Sequence, residues 1–454
     1  MAKEFIEIRN PEIAGDKRVS FDLSCSKGVK KFLLLDRLYA EYDVPILEVE
    51  PSILLIPAVS GVITLAWAFG ADVYVEELDK AYLEYLRRME SVLTHWFRVR
   101  NFSYAGRVSA RKIVSNNSVN DGYGLLFTGG VDSLASYLKH KDEKPILIHV
   151  WGADIHPDDE VNGKRRVKRL AAFAYEEEVP LHIIRTNIPK ALNDYLLYVR
   201  YGLIWWLQVS HSFVLTGVCA PLSAAANVGT LYVASAVTQE FRIVCGSTPL
   251  IATKLSWDDT DVVYDSYDLG RQLKIKRFIK DYIKQRGNIF LKVCNNTERP
   301  ETNCGHCGKC LRTITELAIE GIDPNNCGFN NVNSQTFQHI REGFEKEKLF
   351  RKGWVVESEG DYTNRVGEVY YWKDMQKNIS EKLEDSPARS EEFLSWFRDF
   401  DISEYLRRTE NSIRIPLWNL PYVCLLNVCT LMPGNMQRSL KKLIDFVMSM
   451  YLRL

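Results

Sequence analysis

Apolar and polar positions change period along the chain, and the changes mark out elements. Leu125-Leu126-Phe127 is an apolar strand that ends in Thr128-Gly129-Gly130, and Leu134 to His140 continues with helical spacing. Pro145 to Trp151 is a continuous apolar run, as expected of a strand buried on both faces of a parallel sheet. Asp158 to Glu178 reads as a helix whose acidic first turn favours the dipole. Pro180 to Thr186 reads as a third strand, Leu203 to Ala226 as one long buried helix, and Thr230 to Ser235 as a fourth strand. Strands alternating with helices imply right-handed βαβ units and an α/β fold with a doubly wound parallel sheet. Ligands of such sheets bind beyond the carboxyl ends of the strands.

The flanks read differently. Residues 1–121 form an N-terminal α/β extension: Ile53 to Pro57 looks like a short strand or an entry segment, Val59 to Phe69 a helix and Asp72 to Val75 a strand. Asp79 to Arg98 has amphipathic helical spacing, and the polar run Ser115 to Gly122 is a turn-rich boundary. Residues 122–290 make the nucleotide domain, 291–330 a cysteine-rich segment and 331–454 a mainly helical C-terminal region. In that last region Gln376 to Leu383 and Gln437 to Leu454 have amphipathic spacing. It carries no chemical motif, so it reads as a helical appendage or an oligomer surface such as a homodimer.

Composition narrows the function classes. A chain of 454 residues exceeds what one core usually holds. The formal net charge is zero, so no bulk field draws nucleic acid or anionic membrane, and contact with either needs a local patch. The basic run Lys164 to Arg169 follows Glu160 at helical spacing and reads as a solvated helix face. Polar residues at 208, 210–212 and 216, with Pro221, make the apolar run Gly202 to Ala226 a poor membrane span. Met1 to Phe5 lacks a signal-peptide hydrophobic region. The expectation is a cytoplasmic protein with no membrane contact.

The glycine pair suits a nucleotide phosphate chain. Gly129 and Gly130 permit positive φ and close backbone approach, and successive N–H groups there form an anion nest at a helix N-terminus. Ser133 adds a hydroxyl donor, and Asp132 offers a ligand for Mg²⁺. No Gly-Lys-Ser/Thr follows, so this is not a Walker A loop; the plain alternative is an ordinary glycine turn. Thr128-Gly129-Gly130-Val131-Asp132-Ser133 resembles the SGGxDS loop of the PP-loop ATP-pyrophosphatases, with Thr128 in place of the first Ser. The resemblance implies the adenine nucleotide alpha-hydrolase (HUP-like) fold, ATP as the phosphate donor, and AMP transfer with pyrophosphate release.

Cys294, Cys304, Cys307 and Cys310 are spaced C-x9-C-x2-C-x2-C, with Gly305 and Gly308 behind two of them. Four thiolates suit a closed tetrahedral Zn²⁺ of structural type, with a [4Fe–4S] cluster as the rival. Such clustering also fits a reducing compartment better than a disulfide set. His306 reads as exposed rather than ligating.

A PP-loop followed by this knot resembles the 7-cyano-7-deazaguanine synthases of queuosine synthesis, whose zinc cluster is C-x8-C-x2-C-x2-C. The similarity covers residues 122–320 and is strong at the two motifs only. A QueC-like ligase of this kind adenylates 7-carboxy-7-deazaguanine, adds ammonia to give an amide, and dehydrates that to the nitrile. This chain is longer at both ends, as are relatives in antiviral defence operons. For those the resemblance implies modification of an operon-encoded partner protein or a nucleobase.

Weaker candidates complete the list. Val150 and Trp151 at the second strand end would face adenine, or be a buried strand end. Gln239-Glu240 and Ser247, after the fourth strand, fall where substrate would lie. Asp265 and Arg271 would order substrate or ATP, with Arg271 grouped with Asp132 and Ser133 as catalytic; surface roles are the competing account. His211 reads as a satisfied core histidine. A tRNA thiolase or lysidine-synthase-like enzyme, and a non-catalytic nucleotide-binding partner, stay open as alternatives.

Overall fold

A computed structural model describes residues 3–9, 11–97, 106–240, 245–253, 255–294, 302–346, 362–379 and 387–405. The N-terminal region supplies β1 (Phe5–Ile8), β2 (Glu12–Ala14), β3 (Arg18–Cys25), β4 (Arg37–Tyr42), β5 (Asp72–Asp79) and β6 (Val108–Val114). The rest supplies β7 (Gly122–Leu126), β8 (Ile146–Trp151), β9 (Leu181–Thr186), β10 (Val228–Ala234), β11 (Ser256–Trp257) and β12 (Thr260–Asp265). All join one mixed sheet in the order β11-β12-β10-β7-β8-β9-β4-β3-β1-β5-β6, with β2 on β3.

The block β12-β10-β7-β8-β9 is parallel throughout. Its side chains alternate between two cores, as the strand pleat requires. Leu125, Leu147 and Tyr232 enter one core; Ile148, Val150, Leu231 and Val233 enter the other. Helices Val131–Lys139 and Glu160–Glu176, which follow β7 and β8, cover the first face. The chain after β9 and β10 covers the second, packing on Ile56–Phe69, a helix with all but its last residue buried. The crossovers therefore change face at the β7–β10 junction, the switch point where an α/β sheet opens a crevice.

Several expectations need correction. Ile53 to Pro57 is helical, split between Pro51–Leu54 and Ile56–Phe69. Each begins with a proline in its first turn, where a missing N–H costs no bond. The single helix expected over Leu203 to Ala226 is broken into a π-turn Trp206–Ser210 and the helices His211–Gly217 and Ala220–Ala225. Pro221 opens the last piece, because a proline ring clashes with a preceding turn. The helix expected at Gln376 ends with Tyr362–Lys377, so Asn378 and Ile379 lie beyond it. Residues 380–383 and Gln437 to Leu454 lie outside the described residues.

The N-terminal region had shown two strands in sequence and contributes six. β4 pairs antiparallel with β9, Ala40 opposite Thr186, which makes the whole sheet mixed rather than parallel. Phe21, Leu38 and Ala40 share a core with Ile148 and Ile184. Among the described residues no single helix is long and apolar enough to cross a membrane.

Candidate functional site

β7 delivers the glycine turn to the carboxyl edge of the sheet, where Phe127 N–H donates to the Ile148 carbonyl (2.8 Å). Gly129 has φ +74°, a conformation that costs an L-residue roughly 1–2 kcal/mol. Gly130 is extended and caps the helix Val131–Lys139, whose first helical bond runs from Leu134 N–H to the Gly130 carbonyl. The N–H groups ahead of it have no acceptor inside the helix, which leaves them for an anion. Ser133 is buried and braces the turn. Its hydroxyl donates to the Gly130 carbonyl (3.2 Å) and accepts from Thr128 N–H (3.4 Å).

Asp132, in the first turn, is bracketed by cations. Arg271 Nη1 donates to one carboxylate oxygen (2.6 Å) and Lys274 Nζ lies 3.4 Å from the other. Arg271 is itself fixed by Glu316 (Nε to Oε2, 2.9 Å) and by Thr313 Oγ1 (3.2 Å). Lys274 also donates to the Ser235 carbonyl at the end of β10. Burial pushes the Asp132 carboxyl pKa up, but the charges of Arg271, Lys274 and Arg312 more than offset this and hold it below its usual value. A π-turn, Ile275–Ile279, follows Lys274 directly, and such turns gather at functional sites.

The C-terminal region, expected to be a bland appendage, reaches this crevice. Tyr371 donates to the Ala236 carbonyl (2.5 Å), and its ring lies 3.9 Å under the Arg312 guanidinium. Tyr370 and Thr238 share a hydroxyl hydrogen bond (2.8 Å). Asp374 accepts from Gln272 N–H (3.4 Å) at the start of the Arg271 helix. Burial pushes its pKa up to about 6.

The other predicted residues fall in varied places. Asp265 is consumed structurally by Ser136 (2.6 Å), Lys139 (2.6 Å) and His140 (3.1 Å) at the far end of the glycine-turn helix. Burial would raise its pKa, yet those bonds take it to about 2. The Val150 and Trp151 side chains are buried: Val150 lies in the core, and Trp151 Nε1 bonds to the His156 carbonyl (3.1 Å). Neither ring nor aliphatic group is presented to a nucleotide. Gln239 and Glu240 are exposed, and the Gln239 N–H donates to the Tyr267 carbonyl (2.9 Å). Ser247 pairs with His211 (Oγ to Nδ1, 2.5 Å), so His211 is satisfied, as expected.

Sequence reasoning missed Lys274, Thr313, Glu316, Arg312 and Tyr371. It also missed His149, which sits 3.3 Å from the Phe127 carbonyl and is held neutral by burial, its pKa down to about 3. A useful signal was present: Arg271 and Lys274 share a helix face, as do Thr313 and Glu316.

The cysteine segment closes locally. The four Sγ atoms of Cys294, Cys304, Cys307 and Cys310 lie within 4.8 Å of one another. Cys294–Cys307 and Cys304–Cys310 are each 3.8 Å apart. A single tetrahedral ion with metal–sulfur bonds of about 2.3 Å requires edges of about 3.8 Å, so the set can hold one metal ion. The hydrogen bond with Cys294, aided by burial, pushes Cys307 up to about 12. Gly305 adopts φ +76°, and Cys307 N–H donates to Cys304 Sγ (3.3 Å). Asn303, another missed residue, accepts from the N–H groups of Val293 and Cys294. It also donates to the carbonyls of Leu291 (2.7 Å) and Gly328 (3.1 Å).

The two sites touch. Lys292 N–H donates to the Gly129 carbonyl (2.9 Å), and Lys292 Nζ binds the carbonyls of Cys294 and Thr302. The helix Gly308–Ile319 starts at the thiols and carries Thr313 and Glu316 to Arg271. A separate cavity of about 260 Å³ lies in the N-terminal region among Trp67, Leu83, Leu86, Arg87, Glu90 and Arg107.

Comparison of the chain with protein-family models, with characterised proteins and with solved structures returns no match.

Proposed function

We propose that the protein is a QueC-like, ATP-dependent ligase that adenylates a carboxylate and passes the acyl group to an amine. One observation carries the reading: a carboxylate one residue into the helix behind a Gly-Gly turn, gripped by buried Arg271 and Lys274, at the switch point of the sheet. Phosphate transfer needs mainly positioning and fixed charge, and this crevice is rich in both.

In this account the substrate carboxylate oxygen attacks the α-phosphate, and the bond to the β-phosphate breaks. Pyrophosphate leaves against the N–H groups of Gly130 to Ser133 and the charges of Lys274 and Arg271. Mg²⁺ would supply countercharge to the leaving group, with Asp132 as its ligand in place of the longer Lys274 contact. Arg271 is a positioning residue here, because three protein acceptors already fix its guanidinium. The four thiols would hold structural Zn²⁺, whose single-ion geometry they match.

Cysteine chemistry favours this reading over a thiolase. Burial pushes Cys245 to about 11 and Cys327 to about 12, so neither is an activated thiolate. The test is incubation with ATP, Mg²⁺, 7-carboxy-7-deazaguanine and ammonia, with product masses recorded. AMP, pyrophosphate and an amide or nitrile support the proposal, as does AMP release with a mass gain on an operon-encoded partner. ADP and inorganic phosphate as the only products would refute it.

A further inference from the structure

Adenylation is half of the proposed reaction; in the other half an attacking amine must lose a proton. Across the crevice a second group of polar side chains converges. Ser212 Oγ donates to Ser247 Oγ (3.0 Å), and Ser247 Oγ lies 2.5 Å from His211 Nδ1. With one donor already pointed at it, the Ser247 hydroxyl is free to direct its own hydrogen at the imidazole. The Ser247 carbonyl accepts from Tyr264 Oη (2.9 Å) and from Cys245 Sγ (3.0 Å), which fixes the backbone that carries the hydroxyl.

Tyr264 and Ser235 tie this group to the nucleotide turn. Tyr264 is on β12, beside β10, whose end provides the Ser235 carbonyl that Lys274 holds while reaching Asp132. Tyr264 pairs with Val233, one residue short of the end of β10. His211 lies within electrostatic reach of Asp154, beyond β8, and of Lys309, beside the thiols. The pair is therefore at the same carboxyl edge as the turn, opposite its helix.

We propose that Ser247 and His211 are the acceptor half of the site and relay the proton of the incoming amine. The inference rests on the adenylation reading. The amine nitrogen attacks the acyl carbon of the adenylate and a C–N bond forms. The C–O bond to phosphate breaks and AMP leaves with the electron pair. The ammonium proton passes to Ser247 Oγ as the Ser247 proton passes to His211 Nδ1. Burial lowers the His211 pKa to about 4, so the ring starts neutral. The adenylate phosphate adds nearby negative charge, which strengthens the imidazole as a base during transfer. Cys245, protonated and donating to Ser247, is not the acceptor.

The test uses the full chain and the variants His211→Asn and Ser247→Ala, with 7-carboxy-7-deazaguanine as the probe. Three rates are compared: carboxylate-dependent ATP–pyrophosphate exchange, amide from ammonium chloride, and hydroxamate from hydroxylamine. A lost proton relay should lower amide formation about 100-fold more than exchange. Hydroxylamine, whose weakly basic nitrogen gives an adduct acidic enough to lose its proton to water, should recover to within about tenfold of wild type. Equal falls in exchange and amide, loss of hydroxamate together with amide, or an unchanged amide-to-exchange ratio would each overturn the relay. No exchange in the wild-type protein would instead remove the adenylation reading, and the relay with it.

Discussion

The cysteine knot and the glycine turn are neighbours built in opposite ways. All four thiols of the knot come from seventeen consecutive residues, 294–310, and its geometry closes over that short span. The turn spans six residues, but the groups that fix its charge come from 271, 274, 313 and 316. A metal site pays its ordering cost with one strong ion and needs little help from afar. A phosphate site needs several weak, oriented charges, which only the assembled fold brings together. The helix Gly308–Ile319 belongs to both, so the knot is expected to hold the turn in place.

The largest test of that coupling is Cys310→Ser. Structural Zn²⁺ is worth about 10–16 kcal/mol in small domains, so loss of the ion should unfold the 291–330 segment and abolish ATP binding. Metal content and calorimetric ATP titration on the same sample check this; ATP affinity that survives metal loss would separate the two regions.

Arg271→Ala comes next. It leaves half-buried Asp132 with only the longer Lys274 contact (3.4 Å) and buried Glu316 with only Arg312 (3.8 Å), and should cost about 3–5 kcal/mol in denaturant unfolding. Arg271→Lys keeps the charge but not the fork, so it should retain more stability and still weaken ATP binding.

Glycine replacements sharpen the contrast at smaller cost. Gly129 and Gly305 both have positive φ, and alanine at either should lose roughly 1–2 kcal/mol. An added Cβ at Gly129 also lies 3.3 Å from Leu170, whereas Gly305 faces open space. Gly129→Ala should therefore weaken ATP binding with metal content intact, and Gly305→Ala should lower metal affinity first.

The smallest effect is electrostatic. Asp265 has its pKa depressed to about 2 from an ordinary 3.8, so its pairing stabilises the fold above about pH 4 and is lost as pH falls toward 2. Asp265→Asn should lower the melting temperature at pH 7, and the difference should vanish near pH 2.

The same local-versus-distant distinction explains what the sequence made legible. The run Leu125 to Ser133, the thiol spacing and the strands β8, β9 and β10 are local patterns, and all sit where periodicity put them. The grip on Asp132 was visible only as Arg271, one ordered-site candidate among several, because its partners are about 40 residues further on. Asp265 misled for a related reason. Its place at a strand end suits a ligand, but Ser136, Lys139 and His140 take up its oxygens. The long helix at 203–226 was misread because the apolar run is continuous while its backbone is not. Of the six N-terminal strands only β5 was legible: β1 and β2 are too short to show a period, and no periodicity singled out β3, β4 or β6.

Hydrogen–deuterium exchange with and without ATP and Mg²⁺ is the most direct measurement of the central claim. The account predicts added protection in two peptides, one covering Gly129 to Leu134 and one covering Gly308 to Ile319, because Arg271 and Glu316 join them. Protection confined to the region around Arg87, Glu90 and Arg107, with both peptides unchanged, would place the nucleotide elsewhere and contradict it.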